Sequence, residues 1–285
     1  MTTSTPNFTT LKLCQEKLAL APNEIHLWLT DPNDITANDE SLLSQYRTLL
    51  SEQETIKQQR YKFAKDRHDA LITRAFVRDL LSYYADIAPQ AWRFEKGEKD
   101  KPELVNPPLA LRFNISHTKG LIACAVTLHD DIGCDVEDTS RSNDVLAIAE
   151  RYFSSQETTE LFALPSEQQR SRFFDYWTLK ESYIKAWGLG LAIPLADFSF
   201  LITDQEKSTV SNNHFQIKDN IRLSFAPHRV DEPSIWRSWI IYPQVNEQHR
   251  IALSLRSASN KNNQDSQINL RFFKTQPLQG YQELS

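Results

Sequence analysis

In Gly133-Cys134-Asp135-Val136-Glu137 two carboxylates stand two residues apart. The strand period of two puts them on one face, with Cα atoms roughly 6.5 to 7 Å apart. Flanked by Ile132 and Val136 on the buried side, such a pair repels itself unless a cation or a basic partner lies between its members. Hard Mg²⁺, which takes one or two carboxylates plus substrate phosphates, is one candidate partner. An exposed acidic strand edge is the plainer alternative. Further along, Trp177, Glu181 and Lys185 follow one another at i, i+4 spacing, with Phe174 and Ile184 on the same side, so a carboxylate and an amine share an apolar stripe. Lys180 lies about a quarter-turn away, and its long stem could carry the ammonium to the same site. A solvated Glu-Lys pair is the competing reading.

Phe113-Asn114-Ile115-Ser116-His117 ends an apolar run in a hydroxyl and an imidazole. Adjacent strand residues face opposite ways, so Ser116 and His117 do not make a nucleophile and base pair, but either can contact a phosphate. From Lys57 to Arg78 seven basic residues, Arg67 and Arg74 among them, stand against two acidic ones. This is where an anion would go, with a solvated helix face as the bland alternative.

These residues sit in a chain of 285 residues, long enough for two domains. With 32 Lys and Arg against 37 Asp and Glu, the formal charge is −5, so nothing global draws the chain to nucleic acid or an anionic membrane. Only 6 glycines are present and they form no phosphate-binding loop, which leaves phosphate to side chains. Three cysteines, Cys14, Cys124 and Cys134, without CxxC spacing read as free thiols in a reducing compartment. No secretory or membrane-spanning segment stands out, and the chain reads as cytoplasmic.

The positioning elements follow from periodicity. Glu24 to Thr30 predicts a strand, and Asn38 or Asp39 caps a helix to about Leu50. Ile56 to Tyr84 reads as one long helix, with Pro89 ending the pattern. Leu111–Ser116, Leu121–Leu128 and Ile132–Glu137 read as strands of one sheet. Three helical stretches follow, Asn143–Phe153, Ser154–Leu164 and Ser166–Trp187, the last closed by Gly188. Short alternating runs beyond Pro194 predict a second sheet, and 257–266 a polar loop before a last apolar run, Ile268–Phe273. The class is α+β, without a visible internal repeat.

In that order, Phe113 to His117, Gly133-x-Asp135-x-Glu137 and Trp177-x-x-Lys180-Glu181-x-x-x-Lys185, followed by Gly188-Leu189-Gly190-Leu191 and Pro194-Leu195, resemble the 4'-phosphopantetheinyl transferases, specifically the Sfp-type branch. The likeness covers Tyr61 to Phe200 well and the two ends poorly. It implies two similar α+β halves, 1–130 and 131–285, packed as a pseudo-dimer with the active site in the cleft, and a monomer as the default. It also implies transfer of phosphopantetheine from coenzyme A to a serine of an apo acyl or peptidyl carrier protein, releasing 3',5'-ADP. By resemblance Asp135, Glu137 and Glu181 would be a Mg²⁺ shell, with Glu181 also the candidate base and Lys185 facing the phosphate oxygens. Ser116, His117, Lys101, Lys180, Arg67 and Arg74 would hold coenzyme A. Asp100 stands where the family's Gly-Lys-Pro element has glycine, and Asp69 where an arginine is often found. Two alternatives remain: a non-catalytic module binding coenzyme A or carrier proteins, and a metal-dependent phosphohydrolase. Release of 3',5'-ADP without any carrier would mark the hydrolase.

Overall fold

The alternating run at 24–30 forms β1 (Glu24–Thr30), almost wholly buried. Helix α1 (Glu40–Leu49) follows from Asp39, and α2 (Glu52–Gln59) from a capping box in which Ser51 and Glu54 satisfy each other's backbone N–H groups. The expected single helix over 56–84 is broken, because α3 (Ala64–Ser82) begins only after Phe63 in an extended conformation. Arg67 stabilises the break by donating to the Tyr61 and Lys62 carbonyls at 2.8 and 3.0 Å. No glycine or proline marks this interruption in the sequence.

A small hairpin, β2 (Phe94–Lys96) and β3 (Pro102–Leu104), precedes β4 (Leu111–Thr118), β5 (Leu121–Leu128) and β6 (Asp131–Asp138). Three helices come next, α4 (Val145–Tyr152), α5 (Ser155–Ala163) and α6 (Ser166–Trp187), the last ended by Gly188 in the left-handed conformation that favours glycine. Then come β7 (Phe198–Ile202), β8 (Thr209–Ser211), β9 (Phe215–Lys218), β10 (Ile221–Phe225), β11 (Trp236–Pro243), β12 (His249–Arg256), β13 (Asn269–Thr275) and β14 (Tyr281–Leu284). This computed structural model describes residues 17–36, 38–97, 101–188, 190–203, 209–211, 213–244, 247–257 and 267–284. Cys14, Asp100 and the polar stretch 258–266 lie outside them.

Two five-stranded sheets result, ordered β14-β13-β1-β5-β4 and β6-β12-β11-β9-β8. Each carries its own helices on one face: Trp28, Phe76 and Leu80 belong to one helix-side core, Phe174, Leu179 and Ile240 to the other. A third core, with Leu27, Ala125 and Phe272 from the first sheet and Val136, Ile251 and Leu253 from the second, joins the sheets face to face. The class is α+β, as expected, in layers of helix, sheet, sheet, helix.

Two expectations need correction. The strands at 111–116, 121–128 and 132–137 do not share a sheet, since β6 pairs with β12 while β4 and β5 stay with β1. Residues 131–285 do not form one half either: β13 returns to pair in parallel with β1, and β14 pairs with β13. The reason is that β1 has a free edge that the last apolar run completes.

Edges β4 and β6 meet at the seam without a backbone ladder. The Asn114 side-chain carbonyl accepts the Cys134 N–H at 2.8 Å, and the Ser116 hydroxyl accepts the Val136 N–H at 3.2 Å. Helix α6 crosses β6 so closely that a Cβ on Gly133 would lie 1.8 Å from the Ser182 carbonyl oxygen and 2.5 Å from the Ala186 nitrogen. Both are backbone atoms and cannot rotate aside. Gly133→Ala is therefore expected to cost about 3 kcal/mol or more through overpacking, read as a lowered denaturation midpoint. A midpoint equal to the wild type would mean that α6 does not approach β6 this way.

Candidate active site

Strand β6 supplies Asp135 and Glu137, α6 supplies Glu181 and Lys185, and β4 supplies Ser116. The Lys185 ammonium donates to Asp135 Oδ1 at 2.6 Å and to the Ser116 hydroxyl at 2.8 Å, and that hydroxyl donates to the same carboxylate oxygen at 3.0 Å. With Val136 N–H as a second donor, the Ser116 oxygen is saturated. It is thus tied to the acidic strand, and the solvent-facing neighbour on β4 is His117.

Charge is concentrated here. Burial and then Asp135 push the Glu137 carboxyl up to about 7, against the opposing pull of Arg141. Burial and Asp135 likewise raise Glu181, with Lys185 opposing. Burial would lower the Lys185 ammonium, but the Asp135 carboxylate more than offsets it and holds the pKa above its ordinary value. Desolvation, followed by the Lys185 cation, lowers the His117 imidazole, which also feels Arg74, Asp66 and Asp69.

Two carboxylate oxygens in this group, Asp135 Oδ2 and Glu137 Oε2, are buried without a hydrogen-bond partner. A buried carboxylate oxygen without a hydrogen bond is costly unless a cation meets it, as Arg141 meets Glu137 Oε2 at 3.0 Å. The donor set is all oxygen, the chemistry that suits Mg²⁺ rather than a soft metal. Among the described residues no group of three or more His, Cys, Asp or Glu side chains is already placed to hold a metal ion. Glu137 Oε1 is oriented instead by the Trp177 indole N–H at 3.1 Å, and Asp135 Oδ1 by Lys185.

The remaining candidates divide. Arg74 lines a cavity of about 720 Å³ beside β4, together with Lys57, Arg78, Lys96, Phe113 and Ile115. Arg67 is turned to the Tyr61 and Lys62 carbonyls. Lys101 reaches across from the first half and donates to the Ala186 carbonyl at 3.1 Å, at the α6 C-terminus where a cation is favoured. Lys180 is a correction. It is 0% exposed and donates to Glu157 Oε2 and to the Leu195 and Phe198 carbonyls, each at 2.7 Å. The 100° step from Glu181 turns it away from the cleft and into the core of its own half.

Two residues went unassigned in the sequence. Trp177 was visible on the stripe but not as a donor to Glu137. Arg141 lies 3.0 Å from Glu137 Oε2, yet it follows β6 in a turn, where i+4 spacing carries no helical signal.

Comparison with known proteins agrees with this geometry. Residues 131–282 match the family model described as the 4'-phosphopantetheinyl transferase superfamily, and 37–129 match the model described as 4'-phosphopantetheinyl transferase, N-terminal. The chain belongs to the 4'-phosphopantetheinyl transferase superfamily. It is 34% identical over 191 residues to 4'-phosphopantetheinyl transferase HetI of Nostoc sp., covering 66% of this chain and 78% of that one. Similarity to Sfp of Bacillus subtilis is 34% over 154 residues, or 54% of this chain and 67% of the relative. The rat L-aminoadipate-semialdehyde dehydrogenase-phosphopantetheinyl transferase is 27% identical over 248 residues, 84% of this chain and 74% of its own. The protein is therefore a phosphopantetheinyl transferase, of a family that uses coenzyme A and acts on carrier proteins. No helix among the described residues is long and apolar enough to cross a membrane.

The raised Glu137 carboxyl makes a pH prediction. Folded Glu137 keeps its proton up to about 7, whereas the unfolded group releases it near its ordinary value of 4.5. Stability from this group is thus fully present below about 4.5 and lost as pH rises to about 7, on the order of 3 kcal/mol. In metal-free buffer Glu137→Gln should flatten the fall in melting temperature across that window. An unchanged pH profile would place the charge strain elsewhere. Lys180→Ala leaves Glu157 buried without its ammonium and should cost about 3 to 5 kcal/mol, measured by denaturation.

Proposed function

We propose that this is an Sfp-type transferase that moves 4'-phosphopantetheine from coenzyme A to a serine hydroxyl of an apo acyl or peptidyl carrier domain. 3',5'-ADP is the other product, and the enzyme acts as a cytoplasmic monomer with Mg²⁺. The observation that carries the reading is the contact of Lys185 with Asp135 and Ser116, beside two buried carboxylate oxygens that lack hydrogen-bond partners.

Asp135, Glu137 and Glu181 are the residues that would hold Mg²⁺, which when bound neutralises the diphosphate and its leaving oxygen. Lys185 is 29% exposed on its side chain, so its ammonium can turn from Asp135 to a phosphate oxygen without leaving the site. There it stabilises charge that develops as the bridging P–O bond breaks. Glu181, whose carboxyl is raised by burial and by Asp135, is the base that would accept the serine proton as the new O–P bond forms. Arg74, which lines the cavity beside β4, and His117, which feels its charge, offer cationic or hydrogen-bonding contacts for the nucleotide phosphates. Ser116, bonded to Asp135, supports this reading as an orienting hydroxyl; Lys101 supports it by holding the α6 C-terminus.

Intact-mass spectrometry of an apo carrier protein incubated with enzyme, coenzyme A and Mg²⁺ should show a gain of one phosphopantetheine, lost in EDTA. No gain with several unrelated carriers, despite coenzyme A binding, would favour the non-catalytic module; 3',5'-ADP without carrier would favour hydrolysis. Asp135→Ala should lose Mg²⁺-dependent turnover by roughly a hundredfold or more while keeping its circular-dichroism spectrum. Wild-type turnover would remove Asp135 from the metal shell.

A further inference from the structure

Glu137 is held by two different kinds of partner. Its Oε1 accepts a hydrogen bond from the Trp177 indole at 3.1 Å. Its Oε2 is buried and accepts no hydrogen bond, and faces the Arg141 guanidinium at 3.0 Å in an ion pair that is charge without alignment. The exposures are unequal, 47% for the arginine side chain and 12% for the glutamate. The guanidinium therefore lies on the solvent side of the carboxylate. Its other end donates to Thr118 Oγ1, the last residue of β4, at 3.0 Å, so a single side chain spans the seam between the two sheets directly over Glu137.

The backbone beneath this side chain is anchored. Asp138 Oδ1 accepts both the N–H and the hydroxyl of Ser140, at 2.9 and 2.6 Å. Thr139 donates its N–H and its hydroxyl to the Gln248 carbonyl, at 2.7 and 3.0 Å, and its own carbonyl accepts Arg170 Nε at 3.1 Å. The turn that launches Arg141 is thus tied to Gln248, just before β12, and to α6, while its side chain is half-exposed. The other charges facing Glu137 are Asp135 and Lys185, and these two are already paired with each other.

We propose that Arg141 is a latch: its guanidinium occupies Glu137 Oε2 and competes with a divalent cation for that oxygen, so that the site takes metal only as Arg141 swings away. A divalent cation and the guanidinium drawn to the same carboxylate oxygen repel each other, and the half-exposed ion pair is the easier of Glu137's two contacts to release. Arg141 is a positioning residue in this arrangement, acting through Glu137 and sensed in metal affinity before any chemistry. The inference rests on Glu137 being a metal ligand, as in the function proposed above.

The test is Mn²⁺ alone as the probe, titrated into the full-length protein without coenzyme A and followed by the electron paramagnetic resonance of free Mn²⁺. Arg141→Ala should bind Mn²⁺ roughly threefold more tightly or better, the scale of a half-exposed ion pair. Thr118→Val, which frees the far end of the guanidinium, should shift affinity in the same direction by less. In a Glu137→Gln background Arg141→Ala should change nothing, because the contested oxygen no longer carries charge. Equal or weaker Mn²⁺ binding by Arg141→Ala, or no detectable binding by either protein, overturns the latch. The same gain in the Glu137→Gln background also overturns it, since the effect would then be the general loss of a positive charge. Glu137→Gln binding Mn²⁺ as the wild type does would instead remove Glu137 from the metal shell and overturn the underlying reading as well.

Discussion

The site depends on one close approach. At Gly133 the backbone of α6 lies where a side chain would otherwise be, with the Ser182 carbonyl and the Ala186 N–H inside the volume of a Cβ. Those two residues bracket Lys185 and follow Glu181, so the contact that admits the helix is also the one that sets both candidate side chains beside Asp135. Ser182 continues the thin layer: its hydroxyl donates to the Leu179 carbonyl at 2.8 Å and lies 2.7 Å from that of Ser254, which is 3.0 Å from Ser238. Small residues on strand and helix let two backbones meet, and the 2.6 Å contact of Lys185 with Asp135 follows from that distance.

A second constraint acts across the seam. Two sheet edges left open would each be a template for unwanted pairing, and here each covers the other. Asn114 and Ser116 accept backbone N–H groups of β6 that a ladder would otherwise take. Ser116 therefore serves two ends at once, holding the halves together and fixing Asp135. The β4 and β6 motifs consequently behave as one unit, although they belong to different sheets.

Lys180 and Lys185 show how position decides role. Both sit on α6, both pair with a carboxylate, at 2.7 and 2.6 Å, and both are desolvated. Lys180 has three oxygen partners and the Phe198 ring 4.3 Å away, and none of its surface is exposed. It fastens α6 to the Ser154–Glu157 cap and to the segment entering β7, where Glu157 also accepts the Phe200 N–H at 2.9 Å. Lys185 keeps part of its surface open to the cleft. One ammonium is a strut within the second half; the other faces the candidate site.

The sequence alone pointed to the family by resemblance and to the α+β class by periodicity, and it grouped Asp135 with Glu137, and Glu181 with Lys185, because strand period and helix period fix those pairs by local geometry. Helix α6, closed by Gly188, and strands β1 and β5 were legible for the same reason. Tertiary structure decided which elements are neighbours. That β6 leaves the sheet of β4, that β13 returns to β1 and that the helix over 56–84 breaks at Tyr61–Phe63 all depend on contacts made far away in the chain, or on an arginine side chain, and none changes the local pattern. It also decided the direction of Lys180 and the station of Arg141, because a side chain's partner across a seam is set by where two backbones come to rest, and spacing along one backbone carries no record of the other.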